Sequence, residues 1–80
     1  MMKHNIAVID DDPFVVIHLK RTFAARLPDA AVHGVSSPIA PAGYDVYIVD
    51  KDFSGISRGA DVVSRIQAVA PDALVIAYSA

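Results

Sequence analysis

Cysteine is absent from these 80 residues, so neither a disulfide framework nor a thiolate metal site can form, and a reducing compartment is permitted. Glutamate is absent too: all nine acidic residues are aspartates. Against seven lysines and arginines they leave a net charge of -2, without the basic excess of a nucleic-acid footprint. No run approaches the roughly 18 apolar residues of a membrane span. The opening "MMKHN" also lacks the apolar core of a secretion signal. A soluble, cytoplasmic chain is expected. Glycine-rich phosphate loops are missing, which disfavours a nucleotide-binding fold.

Hydrophobic residues are plentiful, at 54% of the chain. So small a chain holds at most one domain, and it buries a lower fraction of its surface than a large one. The apolar excess is therefore expected to pack against something, or to belong to a larger domain. It is distributed with two periods. Ile6 to Ile9, Tyr44 to Val49 ("YDVYIV") and Ala73 to Tyr78 ("ALVIAY") are short continuous apolar runs, rich in β-branched and aromatic residues. Such runs fit strands covered on both faces, as in a parallel sheet. A weaker strand is expected over Ala31 to Val35. In "PFVVIHLKRTFAARL", Val16, Leu19, Phe23 and Leu27 recur at helical spacing, with Asp12 as N-cap and Pro13 in the first turn. A second helix is expected from about Ala60 to Val69, with Val62, Val63, Ile66 and Val69 inward. The linker "SSPIAPAG" carries two prolines and makes a poor helix. Extended, its eight residues still reach about 26 Å, enough to cross a sheet. The resulting order, β-α-β-loop-β-α-β over residues 1–80, implies an α/β parallel sheet with right-handed crossovers.

The stretch "IAVIDDDP" sets three aspartates at the end of a buried strand. In an open parallel sheet, ligands sit beyond the carboxyl ends of the strands, where strand order reverses. Asp10 and Asp11 fall just past the first strand and Asp50 just past the third. If those strands pair, the carboxylates meet and repel, and the usual relief is a raised pKa or a bound cation. Oxygen ligands without cysteine or a nearby histidine favour Mg²⁺. The alternative is that Asp10 to Asp12 only cap a helix and Asp50 only ends a strand, which is the preferred reading for Asp12 alone.

"IAVIDDDP", "YDVYIVD" and the final "IAYSA", in this order and spacing, resemble the receiver domain of response regulators, the phosphorylatable module of bacterial two-component signalling. The resemblance implies a flavodoxin-like doubly wound parallel sheet with strand order 2-1-3-4, truncated before the fifth strand, so that residues 1–80 form a partial receiver domain. It implies Asp50 as phosphoacceptor and a Mg²⁺ site from Asp10, Asp11, Asp50 and the backbone carbonyl of Asp52. Ser79 would be the switch hydroxyl and Ala80 the small residue beside it. The implied partners are a sensor histidine kinase as phosphodonor and an output domain or partner protein. Neither nucleic acid nor membrane is bound by this segment, and no enzymatic turnover is implied. A second class of function stays open: a receiver-like interaction or structural module without switching.

Departures from the pattern favour that second class. The family's fifth-strand lysine has no counterpart: alternation aims Lys51 away from the site, and Lys3 and Lys20 lie elsewhere. Phe53 and Ser54 stand where the family usually has an apolar residue and proline. His4, His18 and His33 are scattered and read as surface residues. Tyr44, Tyr47 and Tyr78 read as sheet packing or rim, Lys20, Arg21 and Arg26 as a solvated helix face, and Asp45 and Asp61 as turn or cap residues. The fourth strand would be an open apolar edge, so self-association through that edge is expected, to be read by light scattering.

Overall fold

The two periods of the sequence resolve into one sheet between two helices. A computed structural model describes residues 4–37, 39–51 and 59–78. Strands β1 (Asn5–Ile9), β2 (Ala31–Val35), β3 (Val46–Asp50) and β4 (Leu74–Tyr78) run parallel in the order β2-β1-β3-β4. Helix α1 (Pro13–Arg26) links β1 to β2, and α2 (Gly59–Val69) precedes β4. The expected order β-α-β-loop-β-α-β is the observed one.

Alternation along the central strands explains why their apolar runs are unbroken. Ala7 and Ile9 of β1 join Tyr47 and Val49 of β3 in one core, closed by Val62 and Ile66 of α2. The intervening Ile6, Val8 and Ile48 form a second core on the opposite face, under Val16, Leu19 and Phe23 of α1. Each central strand is thus buried on both sides, as parallel sheets require.

Helix α1 begins as the sequence dictates. The Asp12 carboxylate accepts the Phe14 N–H at 2.9 Å from an extended N-cap, and Pro13 occupies the first turn, where a missing N–H costs nothing. The helix stops before Leu27, whose N–H returns to the Phe23 carbonyl. Leu27 is consequently exposed, unlike the inward place its spacing predicts. Val69 corrects the same kind of expectation in α2. It is 55% exposed, while Ala70 and Ala73 in the turn that follows pack against the core.

Gly34 in β2 is required by the approach of α1. A Cβ there would stand 2.3 Å from Val16 Cγ1, and valine has little χ1 freedom in a helix with which to withdraw. Gly34→Ala is expected to destabilise the protein by about 1–3 kcal/mol, the usual range for overpacking. An unchanged urea midpoint would contradict this packing.

Between β2 and β3 the described residues contain no helix. Gly43 takes a positive φ of 92°, and the Tyr47 hydroxyl donates to the Pro41 carbonyl at 2.5 Å, anchoring the linker to a buried ring. Tyr44 meets both Tyr47 and His33 edge to face, at centroid distances of 5.8 and 5.6 Å. Asp45, at the bend before β3, exchanges backbone and side-chain hydrogen bonds with Asn5 at 2.9 Å, fixing where β1 and β3 start. Among the described residues β4 forms a sheet edge, with Leu74 and Ile76 exposed. No described helix is long and apolar enough to cross a membrane.

Candidate functional site

Because all four strands are parallel, their carboxyl ends share one rim. The register sets Ile9 opposite Val35 on one side and Val49 on the other, and Asp50 opposite Tyr78. One residue further, Asp10 falls in line with Asp50, and its N–H still donates to the Val35 carbonyl at 3.1 Å. Alternation then aims Asp10, Asp50 and Tyr78 to the face of the sheet that carries α1. This is also where the strand order reverses, since the chain leaves β1 toward β2 but pairs β3 on the other side.

Three of the four expected metal-ligating residues are brought together. Carboxylate oxygens of Asp10, Asp11 and Asp50 all lie within 4.8 Å of one another. Asp10 is 2% exposed and Asp50 8%, whereas Asp11 faces solvent. Asp12 stays apart as the cap of α1. Asp52, Ser79 and Ala80 lie outside the described residues. Two unit charges 4 Å apart repel by about 4 kcal/mol at an effective dielectric of 20. A typical hydrogen bond contributes only about 1 kcal/mol net. Hydrogen-bond donors alone therefore compensate such a cluster poorly, and a hard divalent cation suits its oxygens better.

Donors do reach Asp10. Its Oδ1 accepts the Asp12 N–H at 2.8 Å and its Oδ2 accepts the Tyr78 hydroxyl. The Tyr78 phenol is pushed well above its ordinary pKa. Burial is the largest cause, followed by the hydrogen bond to Asp10 and the charges of Asp10, Asp50 and Asp11. It therefore stays a donor at physiological pH. The sequence pattern places Tyr78 in the sheet packing or at its rim. Its ring does pack, beside Ile6, Val8 and Ile48, but its hydroxyl belongs to the site.

Lys20, on the helix face that the sequence pattern reads as solvated, is exposed. It lines the same groove as Asp10 and Asp11, a cleft of about 430 Å³ between α1 and the end of β2. The signal was available in the spacing: Pro13, Val16, Ile17 and Lys20 recur along one helical stripe, and all four line the cleft. Lys51 is exposed, while its N–H donates to the Tyr78 carbonyl at 2.7 Å and prolongs the β3–β4 pairing past Asp50. His4, His18 and His33 are exposed and take no part in the cluster.

No family model and no curated protein matches the sequence. Solved structures do match. The BeF3-activated receiver domain of DrrB superposes with a TM-score of 0.80 at 19% identity, covering 98% of this chain and 67% of that one. The response regulator TrrA of Thermotoga maritima, in complex with Mg²⁺ and BeF, gives 0.78 at 24% identity over 95% of this chain and 69% of its own. TrrA in complex with the histidine kinase ThkA gives 0.78 at 25% identity, with coverage of 96% and 69%. This chain thus spans about two thirds of the length of these receivers. Four parallel strands in the order 2-1-3-4, helices on both faces and an acidic rim at the β1–β3 junction give this chain the fold of the response-regulator receiver domains.

Proposed function

We propose that the chain is a phosphoryl-accepting receiver module of two-component signalling, with Asp50 as the acceptor. The observation that carries this reading is the convergence of Asp10, Asp11 and Asp50 at the carboxyl ends of β1 and β3. A carboxylate oxygen of Asp50 attacks the phosphorus of a phosphohistidine or a small phosphodonor. The donor's bond to phosphorus breaks, its electron pair leaves with the donor, and an acyl phosphate remains on Asp50. Asp10, Asp11 and Asp50 are the side chains that would hold Mg²⁺, joined by the Asp52 carbonyl on the family pattern. Bound there, the cation would neutralise charge on the nucleophile and the transferred oxygens. Burial of Asp50 limits the approach to its exposed rim, beside Asp11. Lys20 offers a cation on the adjoining cleft. Ser79 serves as the switch hydroxyl.

On this reading the module is modified rather than catalysing turnover, and it works in the cytoplasm with a sensor histidine kinase as donor and an output domain or partner protein as reader. The likeness to TrrA, which has been seen with both Mg²⁺–BeF and a histidine kinase, supports it. Among the described residues β4 lies at the sheet edge with Leu74 and Ile76 exposed, which supports self-association as a further property of the segment.

The test is to incubate the protein with Mg²⁺ and acetyl phosphate, and separately with beryllofluoride, and to locate any adduct by mass spectrometry and NMR. One phosphoryl group on Asp50 is the expected outcome. No adduct at Asp50 under either treatment sinks the proposal and leaves the reading of a non-switching interaction module.

A further inference from the structure

Asp10 is gripped at both carboxylate oxygens, and the two grips come from different parts of the chain. The first turn region of α1 supplies one through the Asp12 N–H, and the last residue of β4 supplies the other through the Tyr78 hydroxyl. The torsion that turns a carboxylate plane is intrinsically broad, so an aspartate without such partners samples many orientations. Two donors on opposite oxygens remove that freedom. We propose that Tyr78 is a positioning residue, which with the Asp12 N–H sets the Asp10 carboxylate in the orientation that serves a divalent cation shared with Asp11 and Asp50. This inference rests on the receiver reading given above.

Two effects of the phenol oppose each other. A donor on Oδ2 draws charge from the carboxylate and weakens it as a ligand, yet each oxygen keeps a second lone pair for a cation. Burial decides between them. At 2% exposure Asp10 has little water to replace a lost donor, so removing the hydroxyl leaves Oδ2 underserved and the carboxylate free to turn. Partners that orient metal ligands in this way typically change affinity by about 10–100-fold. Geometry also fits the role: the ring is held by Ile6, Val8 and Ile48, so the hydroxyl is delivered from a fixed platform.

Tyr78→Phe keeps the ring and deletes only the hydroxyl. Mn²⁺ binding, followed by water-proton relaxation and checked by Mg²⁺ competition, is expected to weaken about tenfold or more. In an Asp10→Asn background the same substitution should cause no further loss, an outcome that a merely structural role would not produce. The parent's tyrosine absorption should also shift when spectroscopically silent Mg²⁺ is added, which tests the clamp even if Tyr78→Phe does not fold. Equal Mn²⁺ affinity in parent and Tyr78→Phe, an undiminished loss in the Asp10→Asn background, or an unmoved tyrosine spectrum on Mg²⁺ binding each overturns the clamp alone. A parent that binds neither cation overturns the receiver reading and the clamp with it.

Discussion

Asp50→Asn is expected to take up no phosphoryl group at all from acetyl phosphate, while Asp12→Asn is labelled like the parent. The contrast follows from position. Asp50 ends β3 with its carboxylate beside Asp10 and Asp11, whereas the carboxylate of Asp12 is turned to the Phe14 N–H as a helix cap, a task asparagine performs about as well. An amide in place of the Asp50 carboxylate preserves shape but has no anionic oxygen to form the acyl phosphate. It also removes one charge from the cluster, so Mg²⁺ affinity should fall, and without Mg²⁺ the variant should melt at a higher temperature than the parent because repulsion is relieved. Intact-mass spectrometry reads the first outcome, calorimetry the second and thermal melting the third. Unimpaired labelling of Asp50→Asn would falsify the assignment of the acceptor.

Ile66→Ala is expected to abolish cooperative melting near room temperature. Ile66 is 0% exposed and sits with Val62 as the part of α2 that closes the core over Ala7, Ile9, Tyr47 and Val49. Truncating a buried isoleucine costs about 2–5 kcal/mol, through lost burial and the cavity left behind. Whole domains are stable by only about 5–15 kcal/mol, and a chain this small lies toward the lower end. The matched control is Ile17→Ala on α1, where the side chain is 46% exposed and the effect should stay within about 0.5 kcal/mol. Equal melting temperatures for the two variants would show that α2 does not hold this face.

Most of the architecture was legible because it depends on local pattern. Apolar runs mark β1, β3 and β4, and Asp12-Pro13 marks the start of α1, since burial on two faces and capping leave their signatures within a few residues. The acidic part of the site was legible for a related reason: strand ends in a parallel sheet lie side by side once strand order is known. What sequence reasoning misplaced depends on neighbours it does not show. Periodicity gives the angle of Leu27 and Val69 around their helices, but not where the packed face ends beneath them. Tyr78 looked apolar within "ALVIAY" because its hydroxyl partner, Asp10, lies near the other end of the chain.

The strand order has a consequence in time. Of the four strands β1 is made first, yet it occupies an interior position, and its partner β3 is made only after α1, β2 and the linker have followed. Until then one edge of β1 and the apolar side chains Ala7 and Ile9 have nothing to pair with, so the nascent chain passes through a stage exposed to misassociation. Pairings that join distant parts of a chain form slowly, because loop closure must precede any gain from contact. Asp10 and Asp50 meet only when that pairing closes, so a cation bound between them would report that β1 and β3 have joined.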